Sequence, residues 1–323
     1  IFYCFFHFFY YKLKFLFNKF KLISTLVPKY YLIKLIKEHL MWLAKIIIKV
    51  FLSRLPFNYS IWKRFNIFKH GQMESFDYSK RIFEGHYKDM NRFNSISNPS
   101  MLEIGPGDSL FSMIFSRKYS KNKFYFLDVE DFANKDVNLY KKLIRKLVNK
   151  GYLKKFDIKA DFSFDELISF SNANYMTSGL LDLKKLKNES IDYIFSHSVL
   201  EHVRLYELEE LISQIYRVIK PGGIISHNIN YKDHLSESLN NLRFSEKIWE
   251  SGLFANSGFY TNRVPAVKMH SLFKNIGFQI VQESFGSWKN LPIQRSKISN
   301  DFKLFSDKEL SICTSSFIAQ KRF

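Results

Sequence analysis

Cysteine is almost missing from this sequence. Cys4 and Cys313 are its two cysteines in 323 residues. Two cannot build a disulfide scaffold, and they lack the spacing of a metal-ligand set. No stretch reaches the roughly eighteen uncharged apolar residues of a spanning helix, which argues against an ordinary transmembrane protein. No internal repeat is visible. General disorder is excluded as well, because 46% of the residues are apolar. That share and this length suit one α/β core of about 200–250 residues with attachments.

Acidic residues are scarce at one end. Residues 1–70 hold thirteen Lys/Arg and one acid, Glu38, while the other 253 residues hold 36 bases and 29 acids. Of the net charge of +19, +12 therefore belongs to the first 70 residues and +7 to the body. A basic chain with 35 Phe and 18 Tyr points to nucleic acid or a membrane surface as partner. The concentration of charge in an apolar leader favours an anionic membrane surface over nucleic acid.

Residues 1–20 carry eleven aromatics, interrupted by Lys12, Lys14 and Lys19. The basic residues follow the apolar run and no small-residue cleavage site is evident, so this is not a signal peptide pattern. Part of it reads as an over-extended reading frame. Residues 29–53 follow Pro28 with helical periodicity. Lys34, Lys37, Glu38, Lys45 and Lys49 fall within an arc of about 120°, and Leu, Ile, Val and Phe fill the rest. Two readings fit this pattern. Either the helix lies in a membrane interface at the cytoplasmic face, or it packs on the catalytic domain with its lysines in water.

The body opens at residue 100. Met101-Leu102-Glu103-Ile104 reads as a buried strand, Gly105-Pro106-Gly107-Asp108 as a tight turn, and Leu110 to Phe115 as the start of a helix. This strand, glycine turn and helix begin a nucleotide-type α/β fold. Phe124 to Leu127 reads as a second strand ending in Asp128, with Glu130 close behind. An acid there can accept from both ribose hydroxyls of an adenosine ligand. The position three after Gly107 is Leu110 and not a third glycine, which argues against a dehydrogenase. The absence of a phosphate-binding Lys after the turn excludes a P-loop.

Three segments together resemble the class I S-adenosylmethionine (SAM) methyltransferases: Glu103 to Asp108, Ile191 to Val203, and Arg217 to Gly223. The resemblance spans about residues 95–323. It implies a Rossmann-like seven-stranded α/β sheet with helices on both faces, here with an N-terminal helical extension, and SAM as cofactor. It also implies that Glu103, Ile104, Gly105, Pro106 and Gly107 line the methionine end of SAM, that Asp128 holds the ribose with Val129 beside the adenine, and that Ser196 and His197 adjoin the cofactor. Asp182 is the nearest acid for the adenine amine. Further expected elements are helices over 136–150, 206–218 and 266–275 and strands over 174–177, 223–228, 278–281 and 311–319, the last two forming an antiparallel hairpin. The expected organisation is a leader (1–56), a connector or helical lid (57–99) and the methyltransferase domain (100–323).

Methyl transfer to a hydroxyl needs alignment and a proton acceptor. Four of the nine histidines (His197, His202, His227 and His234) fall between residues 197 and 234. His227, at the end of the fifth strand, is the expected base, with His202 and His234 near it and Glu201 or Asp233 to orient an imidazole. A structural role for Glu201 and His202 is the competing reading. Arg243, Asn262 and Arg263 are expected to bind the acceptor, with surface ion pairs as the alternative. No histidine pair has the spacing of a helical zinc site, so no metal is expected. The expected acceptor is a small-molecule or glycan hydroxyl, with a lipid or quinone ring, or a silent SAM-binding protein, as alternatives. The Asn-Pro-Pro-Tyr type of motif is missing after strand four, which argues against base methylation in nucleic acid.

Overall fold

The computed structural model describes residues 42–55, 71–154, 159 and 161–322. Seven strands form one sheet in the order β3-β2-β1-β4-β5-β7-β6. They are β1 (Met101–Ile104), β2 (Phe124–Leu127), β3 (Ala173–Met176), β4 (Ile191–His197), β5 (Ile219–Asn230), β6 (Phe278–Ser287) and β7 (Ile312–Lys321). β1 to β5 pair in parallel, and β7 runs antiparallel between β5 and β6. The central strands read as continuous apolar runs because helices cover both faces. All four residues of β1 are buried, as are the first six of β4.

The helices are α1 (residues 42–52), α2 (Phe76–Phe93), α3 (Ser112–Ser116), α4 (Val137–Asn149), α5 (Phe164–Phe170), α6 (Leu180–Lys185), α7 (Leu205–Val218), α8 (Glu246–Trp249), α9 (Gly252–Ala255), α10 (Ala266–Ile276) and α11 (Asp307–Leu310). One face of the sheet packs against α2 to α5, with Phe83, Met113, Tyr140, Leu147 and Phe195 in its core. The other packs against α6, α7 and α10 through Leu183, Leu211, Ile215, Met269 and Phe273. Local signals set the helix ends. Asp136 accepts from the Asn138 N–H at 3.0 Å to start α4, and Ser163 and Glu166 form a reciprocal cap on α5.

Three expectations change in detail. β5 starts at Ile219, before the Pro221-Gly222-Gly223 turn, and a register irregularity between Ile191 and Tyr193 absorbs the turn. A Cβ at Gly223 would lie 2.6 Å from Ile219 Cγ1, so the kink needs glycine there. β6 extends to Ser287, past the expected strand over 278–281. The expected connector 57–99 contains α2, whose Ile82, Phe83, His86 and Met90 are buried; it is a core helix of the domain.

The leader is described from residue 42. Trp42, Leu43, Ile46 and Val50 of α1 bury themselves against Leu235, Phe244, Trp249, Phe254 and Tyr260. Burying each such side chain is worth roughly 1.5–3 kcal/mol. Lys45 Nζ donates to Leu235 O at 2.8 Å, and Arg54 donates to Val50 O at 2.8 Å and Leu253 O at 2.6 Å. Of the two readings of the amphipathic pattern, packing on the domain describes residues 42–52. Residues 29–41, the aromatic stretch 1–20 and residues 57–70 lie outside the described residues. No described helix is long and apolar enough to cross a membrane.

Candidate active site

The glycine turn between β1 and α3 is shaped by two left-handed residues, Gly105 (φ 67°) and Gly107 (φ 66°). A side chain is disfavoured there on conformational grounds. Gly105 also has no room for one, because its Cβ would lie 2.4 Å from Val199 Cγ2. Gly105 N donates to Leu127 O at 2.8 Å, which ties the turn to the end of β2. Ile104 and Pro106 are buried and serve the turn's packing. Ser109 Oγ donates to Met73 O at 2.5 Å, so the segment before α2 lies against the turn.

Two carboxyls converge beside it. Glu103 is 3% exposed, accepts from the Ser112 hydroxyl, and leaves its Oε2 without a partner. Burial raises its pKa to about 8, with Asp128 adding like charge. Asp128 is pushed up to about 7 by burial, against hydrogen bonds from the Val129 and Gly107 N–H groups. The loops after β2 and β3 are bonded together: Asp128 N donates to Met176 O and Gly179 N to Asp128 O, both at 2.8 Å. Val129 stands 68% exposed on this rim, against Gly179. The expected cofactor residues on β1 and β2 are thus neighbours. A buried glutamate with an unused oxygen beside a half-buried aspartate fits a cationic, hydroxyl-bearing ligand such as SAM. Asp182 is otherwise engaged, accepting from Ser178 N at 2.9 Å and from Lys185 Nζ at 2.7 Å.

At the end of β4 the side chains split between the two faces. His197 turns toward α2, within aromatic contact of Tyr78 and His86. Its Nδ1 lies 3.1 Å from the Asn228 side-chain amide, and burial lowers its pKa, helped by Arg81. His86 Nδ1 pairs with Ser226 Oγ at 2.8 Å. Sequence reasoning missed Tyr78 and His86 because the pattern of α2 gives no sign of which strand it covers. Ser198 follows with φ 55°, an uncommon conformation for a residue with a side chain.

The expected base, His227, belongs to the opposite face. It has no exposed surface, packs between Phe273 and Phe317, and holds Ser196 Oγ at 2.7 Å through Nδ1. Burial drives its pKa down to about 3. The ring and Ser196 form a buried pair inside the sheet-to-helix core, without access to a ligand. Strand alternation explains this: His227 sits one residue from the face that Ser226 and Asn228 share.

Asp233 does not orient an imidazole either. Its carboxylate accepts from the N–H groups of Leu235, Ser236 and Asn240 at 3.0, 2.7 and 2.5 Å, which shapes the loop after β5. Glu201 is 2% exposed and accepts from Asn230 N at 3.2 Å, with Oε2 unpartnered. Burial raises its pKa to about 8. His202 and His234 do come together. Their rings stack at 4.9 Å with Nε2 atoms 3.2 Å apart, and His202 Nδ1 donates to Tyr260 O at 3.0 Å. Desolvation lowers both pKa values, with His234 adding to the effect on His202 and Lys49 to that on His234. This pair sits in and beside the turn after β4, where an α/β sheet presents its ligands.

The three expected acceptor residues are scaffold. Asn262 donates to Leu200 O and Val203 O at 2.7 and 3.1 Å, and its N–H donates to Glu201 O at 2.7 Å. It holds the 3₁₀ turn that carries Glu201 and His202. Arg263, 8% exposed, donates to Asn241 O and Phe244 O and lies between the Trp249 and Phe302 rings. Arg243 donates to Asn240 Oδ1 and covers Trp42. Among the described residues, no group of three or more His, Cys, Asp and Glu is placed to hold a metal ion.

Residues 102–226 match the family model described as "Methyltransferase domain", a span that runs from β1 to Ser226 in β5. No curated protein matches. Among solved structures, a SAM-dependent methyltransferase from Methanosarcina mazei is 15% identical at a TM-score of 0.45, covering 73% of this chain and 98% of that one. A SAM-dependent methyltransferase from Archaeoglobus fulgidus is 15% identical at a TM-score of 0.42, covering 76% and 95%. Phosphoethanolamine N-methyltransferase 2 of Haemonchus contortus, in complex with SAM, is 14% identical at a TM-score of 0.40, covering 76% and 56%. The family match falls on the segment that carries the glycine turn, the β2 acid and the β4 motif, and residues 102–226 form a methyltransferase domain.

Proposed function

We propose that this SAM-dependent methyltransferase methylates a hydroxyl of a small-molecule or glycan acceptor bound over the ends of β4 and β5. The His202–His234 pair carries this reading. His202 spends its Nδ1–H on Tyr260 O, which leaves Nε2 as the lone-pair nitrogen. Both rings are held neutral at pH 7 by their lowered pKa values, so an imidazole there can take a proton from an acceptor hydroxyl. Glu103, Gly105, Gly107 and Asp128 would hold SAM, which supplies an electrophilic methyl group. Asn262 and Tyr260 position the imidazole through the 3₁₀ turn.

The same enzyme would work at a cytoplasmic membrane face. Ile48 and Phe51 of α1 stand 56% and 65% exposed beside a basic leader. This favours a lipid or quinone ring as the second acceptor class. The test is mass spectrometry of glycans and lipids from cells with and without the gene. A glycan species lighter by one methylene in the deletion supports the first reading with a glycan acceptor, a lipid or quinone species supports the second, and unchanged profiles contradict the glycan and lipid acceptors.

A further inference from the structure

A line of hydrogen bonds crosses the β5–β7–β6 side of the sheet. The Tyr231 hydroxyl lies 2.7 Å from Ser315 Oγ, Ser315 Oγ lies 3.1 Å from His270 Nε2, and His270 Nδ1 lies 2.8 Å from Glu283 Oε2. The four residues come from the end of β5, from β7, from α10 and from β6. At the inner end, Tyr231 and Glu201 line one cavity of about 20 Å³, together with Asn230, Thr261 and Asn262. That volume accommodates about one water molecule. At the outer end, the Glu283 side chain is 39% exposed.

The contacts give the line a single direction. An ionised Glu283 takes the Nδ1–H of His270, so Nε2 must accept. Ser315 then donates to Nε2, and Ser315 Oγ accepts from the Tyr231 hydroxyl. The arrangement has the outline of a Ser-His-Glu triad, yet Ser315 is 4% exposed and already bonded to Tyr231. It is closed to a substrate carbonyl.

We propose that Tyr231, Ser315, His270 and Glu283 form a proton relay that empties the Glu201 cavity to solvent. The proposal rests on the reading above, because methylation of a hydroxyl releases one proton per turnover. That proton, taken first by the His202–His234 pair, passes to Glu201, the residue before His202, or to a water beside it, and on to the Tyr231 oxygen. The Tyr231 proton moves to Ser315, the Ser315 proton to His270 Nε2, and the His270 Nδ1 proton to the Glu283 carboxylate. Glu283 releases it to water, each group ends with its original proton count, and rotation of the two hydroxyls and of the His270 ring restores the starting tautomer before the next passage. Tyr231, Ser315, His270 and Glu283 are positioning and relay residues; none has to touch the acceptor.

The charged groups facing His270 are Glu283 and Lys274, and Tyr231 faces Glu201. Glu201 ionises near pH 8. The test is ¹⁵N NMR of the His270 ring from pH 6 to 10, in the full chain and in the Glu201→Gln and Tyr231→Phe variants. A relay makes the His270 shifts inflect near pH 8 in the native chain, and the inflection disappears in both variants. Ser315→Ala is the substitute if Tyr231→Phe does not fold. Flat shifts in the native chain overturn the relay, as does an inflection that survives Tyr231→Phe, which would be coupling through space. SAM calorimetry on the same samples separates the two claims. Flat His270 shifts with SAM bound defeat the relay alone. A coupled His270 without SAM binding defeats the methyltransferase reading.

Discussion

The Cβ that Gly105 lacks would fall 2.4 Å from Cγ2 of Val199, so the turn after β1 and the turn after β4 touch. Gly105→Ala meets two obstacles, this contact and the positive φ, the second worth about 1–3 kcal/mol. SAM affinity should fall at least about tenfold, which corresponds to about 1.4 kcal/mol. Adding Val199→Ala removes the steric obstacle and should recover part of the loss. Isothermal titration of the single and double variants checks this; a double variant no better than Gly105→Ala would locate the whole effect in the backbone.

SAM binding should be linked to protons. The folded-state pKa values of Glu103 and Asp128, about 8 and about 7, lie above the ordinary 4.5 and 3.8 because of burial. Between those limits the folded chain holds more protons than the unfolded chain, so these two groups lose stabilising effect as pH rises from about 4 to 8. A cationic ligand favours the carboxylates. Affinity should therefore rise between pH 6 and 8.5, with protons released at pH 7. Calorimetry in two buffers of different ionisation enthalpy measures the release. Uptake of protons would reverse the sign and contradict the assignment.

His227 and His202 should behave differently. His227→Leu leaves the Ser196 hydroxyl buried without its partner, a cost of about 1–3 kcal/mol in stability. His202→Gln gives up the bond to Tyr260 O, worth about 1 kcal/mol, and should slow turnover about 10²-fold or more. Thermal unfolding beside methyl-transfer assays on cell extract, with labelled SAM, tells them apart. A stable His227→Leu protein without activity would restore His227 as the base.

The two faces of α1 make opposite predictions. Ile46 is wholly buried, and Ile46→Ala should cost about 2–5 kcal/mol in denaturant unfolding. Phe51→Asp, on the exposed side, should leave stability alone and reduce sedimentation with anionic vesicles. Equal vesicle binding by native and Phe51→Asp protein would argue against α1 as the membrane contact.

Much of the fold was legible in the sequence because its signals are local. The run Met101 to Ile104, the glycine turn and the Asp128 strand end carry their own chemistry, and the structure keeps them together. The capped helix over 137–149 and the helix behind Pro265 were equally plain. The catalytic side was less legible, for two reasons. A strand end does not announce which face it shows: His227 turns into the core, and Asn228, one residue on, lies beside His197. Polar residues in a long insertion can serve either a ligand or the backbone, and Asn262, Arg263 and Asp233 all serve carbonyl or N–H groups of their own chain. The leader's wide apolar face fitted lipid and protein alike. Its protein partners, such as Phe244 and Trp249, lie some two hundred residues away in sequence, beyond the reach of periodicity.

The central claim, that the β1 turn and the β2 acid bind SAM, is tested most directly by isothermal titration of SAM into the native protein and the Asp128→Ala variant at pH 8. The account predicts one saturable site per chain in the native protein and at least about a tenfold weaker one in Asp128→Ala, with Asp128→Ala still folded in the absence of SAM. No heat of binding in the native protein, or equal affinity in the two, would contradict it.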